Sequence, residues 1–111
     1  MRRTVFSVAL MLSIGSGIAS ASDMTVKGYL SLDPQLTDIY IDGLGTGISW
    51  MVNETKAGLG SPVYCPPEEP AITRQSYKRI LDAEIAQGYA EEDWPIAPML
   101  IEGLKATFPC E

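Results

Sequence analysis

The sequence predicts a small all-α domain of three or four helices, with one disulfide and an extended N-terminal arm. Apolar residues recur every three to four positions in the segments that follow Asp33, Thr73 and Pro95, which is the spacing of amphipathic helices. No segment alternates convincingly between apolar and polar residues, apart from a weak stretch from Val26 to Leu30. The chain has only two cysteines, and both lie well after an N-terminal apolar segment.

That N-terminal segment, residues 1–21, has the three parts of a secretory signal peptide. Arg2 and Arg3 supply the positive charge, residues 5–14 are mostly apolar, and Ala-Ser-Ala at positions 19–21 favours cleavage after Ala21. The apolar stretch is shorter than the roughly 20 residues that span a bilayer, so a membrane anchor is disfavoured. We therefore expect a periplasmic protein in which residues 22–111 form one domain without a stable membrane anchor.

The exported chain is expected to begin with the extended arm, Ser22 to Leu32. Three apolar residues of this arm are available to dock on the domain, namely Val26, Tyr29 and Leu30. Asp33 followed by Pro34 predicts a helix start, because aspartate caps free N–H groups and proline needs no partner at the first helical position.

The first long helix is predicted over Gln35–Lys56, with Trp50 beside its apolar stripe and therefore in the core. Gly43, Gly45 and Gly47 lie in the middle of this helix, where each costs up to ~1 kcal/mol relative to alanine. Either another helix packs closely over Gly43 and Gly47, or the helix kinks at Gly45. The stripe itself consists of Leu36, Ile39 or Tyr40, Leu44, Ile48, and Met51 or Val52.

A proline-rich connection, residues 61–70, separates this helix from two shorter ones. Thr73 is the predicted N-cap of the second helix, and Gly88 suits a left-handed ending. The third helix is predicted to begin near Pro95 or Pro98 and to stop before Pro109.

Cys65 and Cys110 are predicted to form a disulfide, because the signal peptide directs both to an oxidising compartment. A zinc site is the weaker interpretation, since two thiols without any histidine do not complete the usual set of four ligands. The disulfide would join the loop before the second helix to the end of the third.

The residue inventory predicts a protein that is not an enzyme and that needs no cofactor and no metal. Histidine is absent, which removes the commonest general base and the Ser-His and Cys-His nucleophile pairs. The leader contains two of the eight basic residues and none of the fourteen acidic ones, which leaves the exported chain with a net charge of −8. Such a surface would repel nucleic acid and anionic membranes and attract a basic protein.

The candidate partner interface is the run Glu91, Glu92, Asp93 and Trp94, which combines negative charge with an aromatic side chain. Two plainer interpretations stay open. An acidic run is usually a solvated surface, and Trp94 could cover the core instead of facing a partner.

Several motifs resemble the Rap/Tai-type immunity domain of small exported bacterial proteins. They occur in this order: Tyr-Cys-Pro-Pro at residues 64–67, Ile-Thr-Arg-Gln at 72–75, Pro-Met-Leu-Ile at 98–101, and Ala-Thr-Phe-Pro-Cys at 106–110. The resemblance covers roughly Gln35 to Cys110 and implies an all-helical fold with a Cys65–Cys110 disulfide. Some members are immunity proteins against amidase effectors of the type VI secretion system. Additional cysteines near the start of the first long helix, which characterised members carry, are missing here.

Two classes of function therefore remain. The first is a periplasmic non-catalytic binding protein, for example an immunity protein that occludes the active site of a basic amidase effector. The alternative is an acid-stress chaperone similar to HdeA, or an envelope protein of another kind. A chaperone of that type would expose apolar surface for unfolding clients when its carboxylates are protonated in acid. The oligomeric state cannot be read from the spacing.

Overall fold

The computed structural model describes residues 23–111, so the predicted signal peptide and its cleavage site lie outside the described residues. Four α-helices occur in this part of the chain, and they confirm the predicted all-α fold. A π-helical turn, Thr55–Leu59, follows the second of them. The helices are α1 (Val26–Leu30), α2 (Pro34–Glu54), α3 (Arg74–Ala86) and α4 (Ile96–Thr107). None of the described helices is both long enough and apolar enough to cross a bilayer.

The N-terminal segment, predicted as an extended arm, contains the short helix α1. The side chain of Thr25 caps it by accepting a hydrogen bond from the N–H of Gly28 at 3.1 Å. Val26 and Tyr29 dock in the core as expected, whereas Leu30 points to solvent. One helical turn aligns Val26 and Tyr29, three positions apart, on the same side, which an extended strand would not do.

The predicted helix starts are confirmed by their capping contacts. Asp33 accepts a hydrogen bond from the N–H of Leu36 at 3.0 Å, and Thr73 accepts one from the N–H of Ser76 at 3.2 Å. Gly88 adopts the predicted left-handed conformation after α3, with φ of 74°. Helix α4 begins at Ile96, directly after Pro95.

The buried face of α2 differs from the predicted stripe. It consists of Thr37, Ile41, Gly45, Ile48 and Val52. The expectation that Trp50 belongs to the core is wrong, because most of its side chain is exposed, as are large parts of Leu36, Ile39 and Met51. Apolar residues occur on two sides of this helix, and the position of α3 selects which side is buried.

The predicted helix contact over Gly43 and Gly47 is also wrong, because a Cβ atom at either position would meet nothing within 4 Å. The close contact is at Gly45, where a Cβ would lie 2.7 Å from Cδ2 of Tyr77 on α3. Helix α2 continues through Gly45 as part of one α-helix. A second close contact joins α3 to α4, since a Cβ on Gly103 would lie 2.5 Å from Cγ2 of Ile80.

The predicted disulfide between Cys65 and Cys110 is confirmed, and it closes the domain. Next to it, the N–H of Cys65 donates a hydrogen bond to the carbonyl oxygen of Phe108 at 2.8 Å. Tyr64, the residue before Cys65, is fully buried in the core. The proline-rich connection is therefore attached to the domain by a covalent bond, a backbone hydrogen bond and a core side chain.

Candidate functional site

The predicted partner residues lie together on the loop between α3 and α4. Glu91, Glu92 and Asp93 are all exposed, and Trp94 has 44% of its surface exposed. Trp94 is therefore not simply a cover over the core, because nearly half of its surface faces solvent. We call residues 91–94 the acidic loop.

The backbone of the acidic loop is fixed by hydrogen bonds to the N-terminal segment. The N–H groups of Val26 and Lys27 donate to the carbonyl oxygens of Trp94 and Glu92, both at 2.9 Å. Just after the loop, the N–H of Ile96 donates to the carbonyl oxygen of residue 24, also at 2.9 Å. Two N–H groups in the first turn of α1 thus bond to loop carbonyls, and the loop gains a defined shape.

The aromatic side chain of the loop is supported from α3. The rings of Tyr89 and Trp94 meet edge to face, with their centroids 6.2 Å apart. The Tyr89 hydroxyl donates a hydrogen bond of 2.6 Å to Glu84, and this bond raises the pKa of Tyr89 to about 12. Trp94 is therefore exposed, but its ring packs against Tyr89, which is fixed by its hydrogen bond to Glu84.

A groove with a volume of about 440 Å³ runs between α1, α2 and α3. Inside it, Tyr29 donates a hydrogen bond of 2.8 Å to Asp82, and Lys78 forms a salt bridge with the same carboxylate. Burial, followed by the contact with Asp82, raises the pKa of Tyr29. Sequence analysis did not identify this group. The spacing of Lys78 and Asp82, four residues apart on one helix, is a local signal for their pairing. Tyr29 is 53 residues from Asp82 and carries no local signal.

A second groove of about 390 Å³ lies between the end of α2 and the proline-rich connection. Its lining includes the buried Tyr64 and Tyr77 and the exposed Lys56 and Glu68. Burial is the main cause that raises the pKa of both phenols. Lys56 and Glu68 carry opposite charges, so these two residues together favour neither an anion nor a cation in the groove.

The charged groups of these sites differ in which other side chains they contact. Within residues 23–111, no three side chains of histidine, cysteine, aspartate or glutamate converge as metal ligands would. Asp82 already accepts from Tyr29 and Lys78, which uses the carboxylate to join α1 to α3. The acidic loop differs from both grooves because it presents three exposed carboxylates next to an exposed aromatic ring.

The buried tyrosines predict a loss of stability in alkali. An unfolded tyrosine ionises near its ordinary pKa of 10.0, whereas the folded pKa values of Tyr29 and Tyr64 are raised. Their contribution to the free energy of unfolding is therefore complete below pH 10 and is lost as the pH rises above it. We expect the melting temperature, followed by circular dichroism, to fall steeply above that pH.

Tyr29→Phe is the control for this pH dependence. The variant should be less stable at neutral pH by about 1 kcal/mol, because Asp82 loses a hydrogen bond. Its melting temperature should then decrease less steeply in alkali than that of the parent. An equal slope for both proteins would exclude Tyr29 as a source of the alkaline transition.

Comparisons with known proteins give no evidence about the role of this site. The sequence matches no protein-family model, and no curated protein or solved structure shows significant similarity to it.

Proposed function

We propose that this chain is an exported, non-catalytic binding protein that recognises a basic protein through its acidic loop. The observation that carries the proposal is the combination of three exposed carboxylates with a supported, half-exposed Trp94 on a backbone fixed by α1. Negative charge speeds the encounter with a basic partner, and a large aromatic side chain can supply much of the affinity once it is buried.

The rigidity of the loop strengthens this proposal. A flexible loop must be ordered when it binds, and the ordering reduces the affinity. Here the backbone is already held by the N–H groups of Val26 and Lys27, and Trp94 already rests against Tyr89. The binding geometry would therefore exist before the partner arrives.

The proposed location is the periplasm, and the proposed partner class includes a basic amidase effector that the chain would inhibit by occlusion. The disulfide fits an oxidising compartment. The resemblance to Rap/Tai-type immunity domains suggests the effector, and the net charge of −8 after removal of residues 1–21 suits a basic one. Inhibition by occlusion requires surface complementarity and no catalytic group.

Neutralising the acidic loop should mainly slow association. We expect Glu91→Gln/Glu92→Gln/Asp93→Asn to reduce the association rate on the order of tenfold at low ionic strength and to weaken its salt dependence. The partner would be captured from periplasmic extract with the parent protein, identified by mass spectrometry, and used for surface-based kinetics. The matched control removes three exposed acids elsewhere, Glu68→Gln/Glu69→Gln/Glu111→Gln. An equal effect of both variants would reveal general attraction by net charge and would contradict a specific role for the loop.

Trp94→Ala tests the aromatic part of the same surface. The dissociation rate should increase by about tenfold or more, because a central aromatic contact is lost. Val63→Ala is the control, since Val63 is an exposed apolar residue on the proline-rich connection and lies outside the loop. If Trp94→Ala lowers only the melting temperature and leaves the kinetics unchanged, Trp94 serves the fold and not the partner.

A further inference from the structure

Helix α2 carries a second apolar surface, on the side opposite its buried residues. Four large side chains lie along it at helical spacing, with two glycines between them. We call it the α2 outer face. It extends about 22 Å along the helix at 1.5 Å per residue, and its members are Leu36, Ile39, Gly43, Gly47, Trp50 and Met51.

Most of this face is exposed in the described part of the chain, although Trp50 borders a groove beside Ile72 and Tyr77. The exposed fractions are 49% for Leu36, 61% for Ile39, 64% for Trp50 and 48% for Met51. A Cβ atom added to either of the two glycines would have no neighbour within 4 Å. The six-turn helix therefore shows a shallow depression at its centre, with bulky apolar side chains at both ends.

The charges around the face argue against a basic partner. No charged residue lies among its six members, and Asp42 at its side is paired with Arg74 of α3 at 2.9 Å. The one carboxylate of α2 in line with the face is the exposed Glu54, one turn beyond Trp50 at the C-terminal end. A basic protein would therefore find a single carboxylate, at one end of the face, to compensate its own desolvated charges. An uncharged apolar surface is complementary to another of the same kind.

The area of the face is close to what a modest dimer needs. With roughly 200 Å² of accessible surface for each large side chain, the exposed fractions correspond to about 450 Å² per chain. Two such faces together would bury about 900 Å² from these side chains alone, near the ~1,000 Å² at which specific interfaces begin. The backbone at the glycines and the flanks of the helix would add to this area.

We propose that the α2 outer face binds a second copy of this chain and forms a two-fold symmetric dimer. In a two-fold contact both copies use the same patch. The apolar side chains at the ends of one face therefore contact apolar side chains of the other, and the flat glycine segments in the middle lie opposite each other. Apart from Glu54 at the end of α2, the contact also keeps the acidic side chains of the two copies outside the interface. Gly43 and Gly47 allow the two helix backbones to approach closely.

The test is the oligomeric state of the exported protein, measured by sedimentation equilibrium at concentrations up to about 1 mM. The average mass should rise from one chain to two. Trp50→Lys places a charge in the contact, and Gly47→Leu fills the depression in a position where the monomer has room. Each should raise the dissociation constant by at least about tenfold, while circular dichroism keeps the parent's helical signal.

Val63→Lys is the control, since Val63 is an exposed apolar residue on the proline-rich connection, and it should dimerise as the parent does. A parent that stays monomeric over the whole concentration range would refute the dimer. A dimer that survives either α2 variant, or that Val63→Lys also abolishes, would show that another surface is used. The acidic loop is unchanged in all these variants, so failure here leaves the binding proposal for residues 91–94 intact.

Discussion

Loss of the Cys65–Cys110 disulfide is expected to lower the free energy of unfolding by about 4 kcal/mol. The two cysteines are 45 residues apart, so the bond removes a large part of the freedom of the unfolded chain. A domain of this size has a total stability on the order of 10 kcal/mol or less. The reduced protein should therefore unfold at a much lower temperature, and a large fraction should be unfolded at moderate denaturant concentrations.

The experiment compares the oxidised parent with two forms that lack the bond. One is the reduced parent, and the other is Cys65→Ser/Cys110→Ser, in which no thiol can reoxidise. Urea titrations followed by circular dichroism should give similar losses for both forms. A loss below about 1 kcal/mol in both would mean that the packing of Tyr64 and the hydrogen bond to Phe108 hold this region without the disulfide.

Gly45→Leu is expected to destabilise the domain by about 3 kcal/mol, because the new side chain would collide with the ring of Tyr77. That ring is buried between α2 and α3, and even a single Cβ would lie 2.7 Å from it. The helices would have to separate. The gain in helix propensity, at most ~1 kcal/mol, is too small to offset this cost.

Gly47→Leu is the matched control on the same helix. Its side chain has open space, so the improved propensity should stabilise the monomer by up to ~1 kcal/mol. Both variants should be measured by thermal and urea unfolding at a concentration where the chain is monomeric. Equal effects at the two positions would contradict the contact between Gly45 and Tyr77.

Features that depend on neighbouring residues could be predicted from the sequence. Asp33 and Thr73 cap their helices with side chains that reach only three residues ahead, and Gly88 ends α3 through its own backbone freedom. The disulfide was predictable because the chain has only two cysteines. Each of these depends on a local rule or on a count, so no tertiary structure was needed.

The candidate site could be predicted only in part. A run of acids ending in tryptophan marked residues 91–94 as exposed and suited to binding. The support of this loop was not predictable, because Val26 and Lys27 are more than 60 positions away and pair with it through backbone atoms. Backbone groups carry no sequence signal, because nearly every residue has the same ones. The contact between Tyr29 and Asp82 could not be predicted either, because 53 positions separate the two residues.

Helix α2 shows both what the sequence determined and what only the tertiary structure decided. The spacing of apolar residues determined that residues 34–54 form a helix, because the hydrogen bonds and caps of a helix are local. It did not determine which side of that helix is buried, since apolar residues and glycines occur around most of it. The ring of Tyr77 packs against Gly45 and turns Ile41, Ile48 and Val52 inward, which leaves Trp50 outside. A helix has the same local energy at any rotation about its axis, so only packing against α3 could choose one.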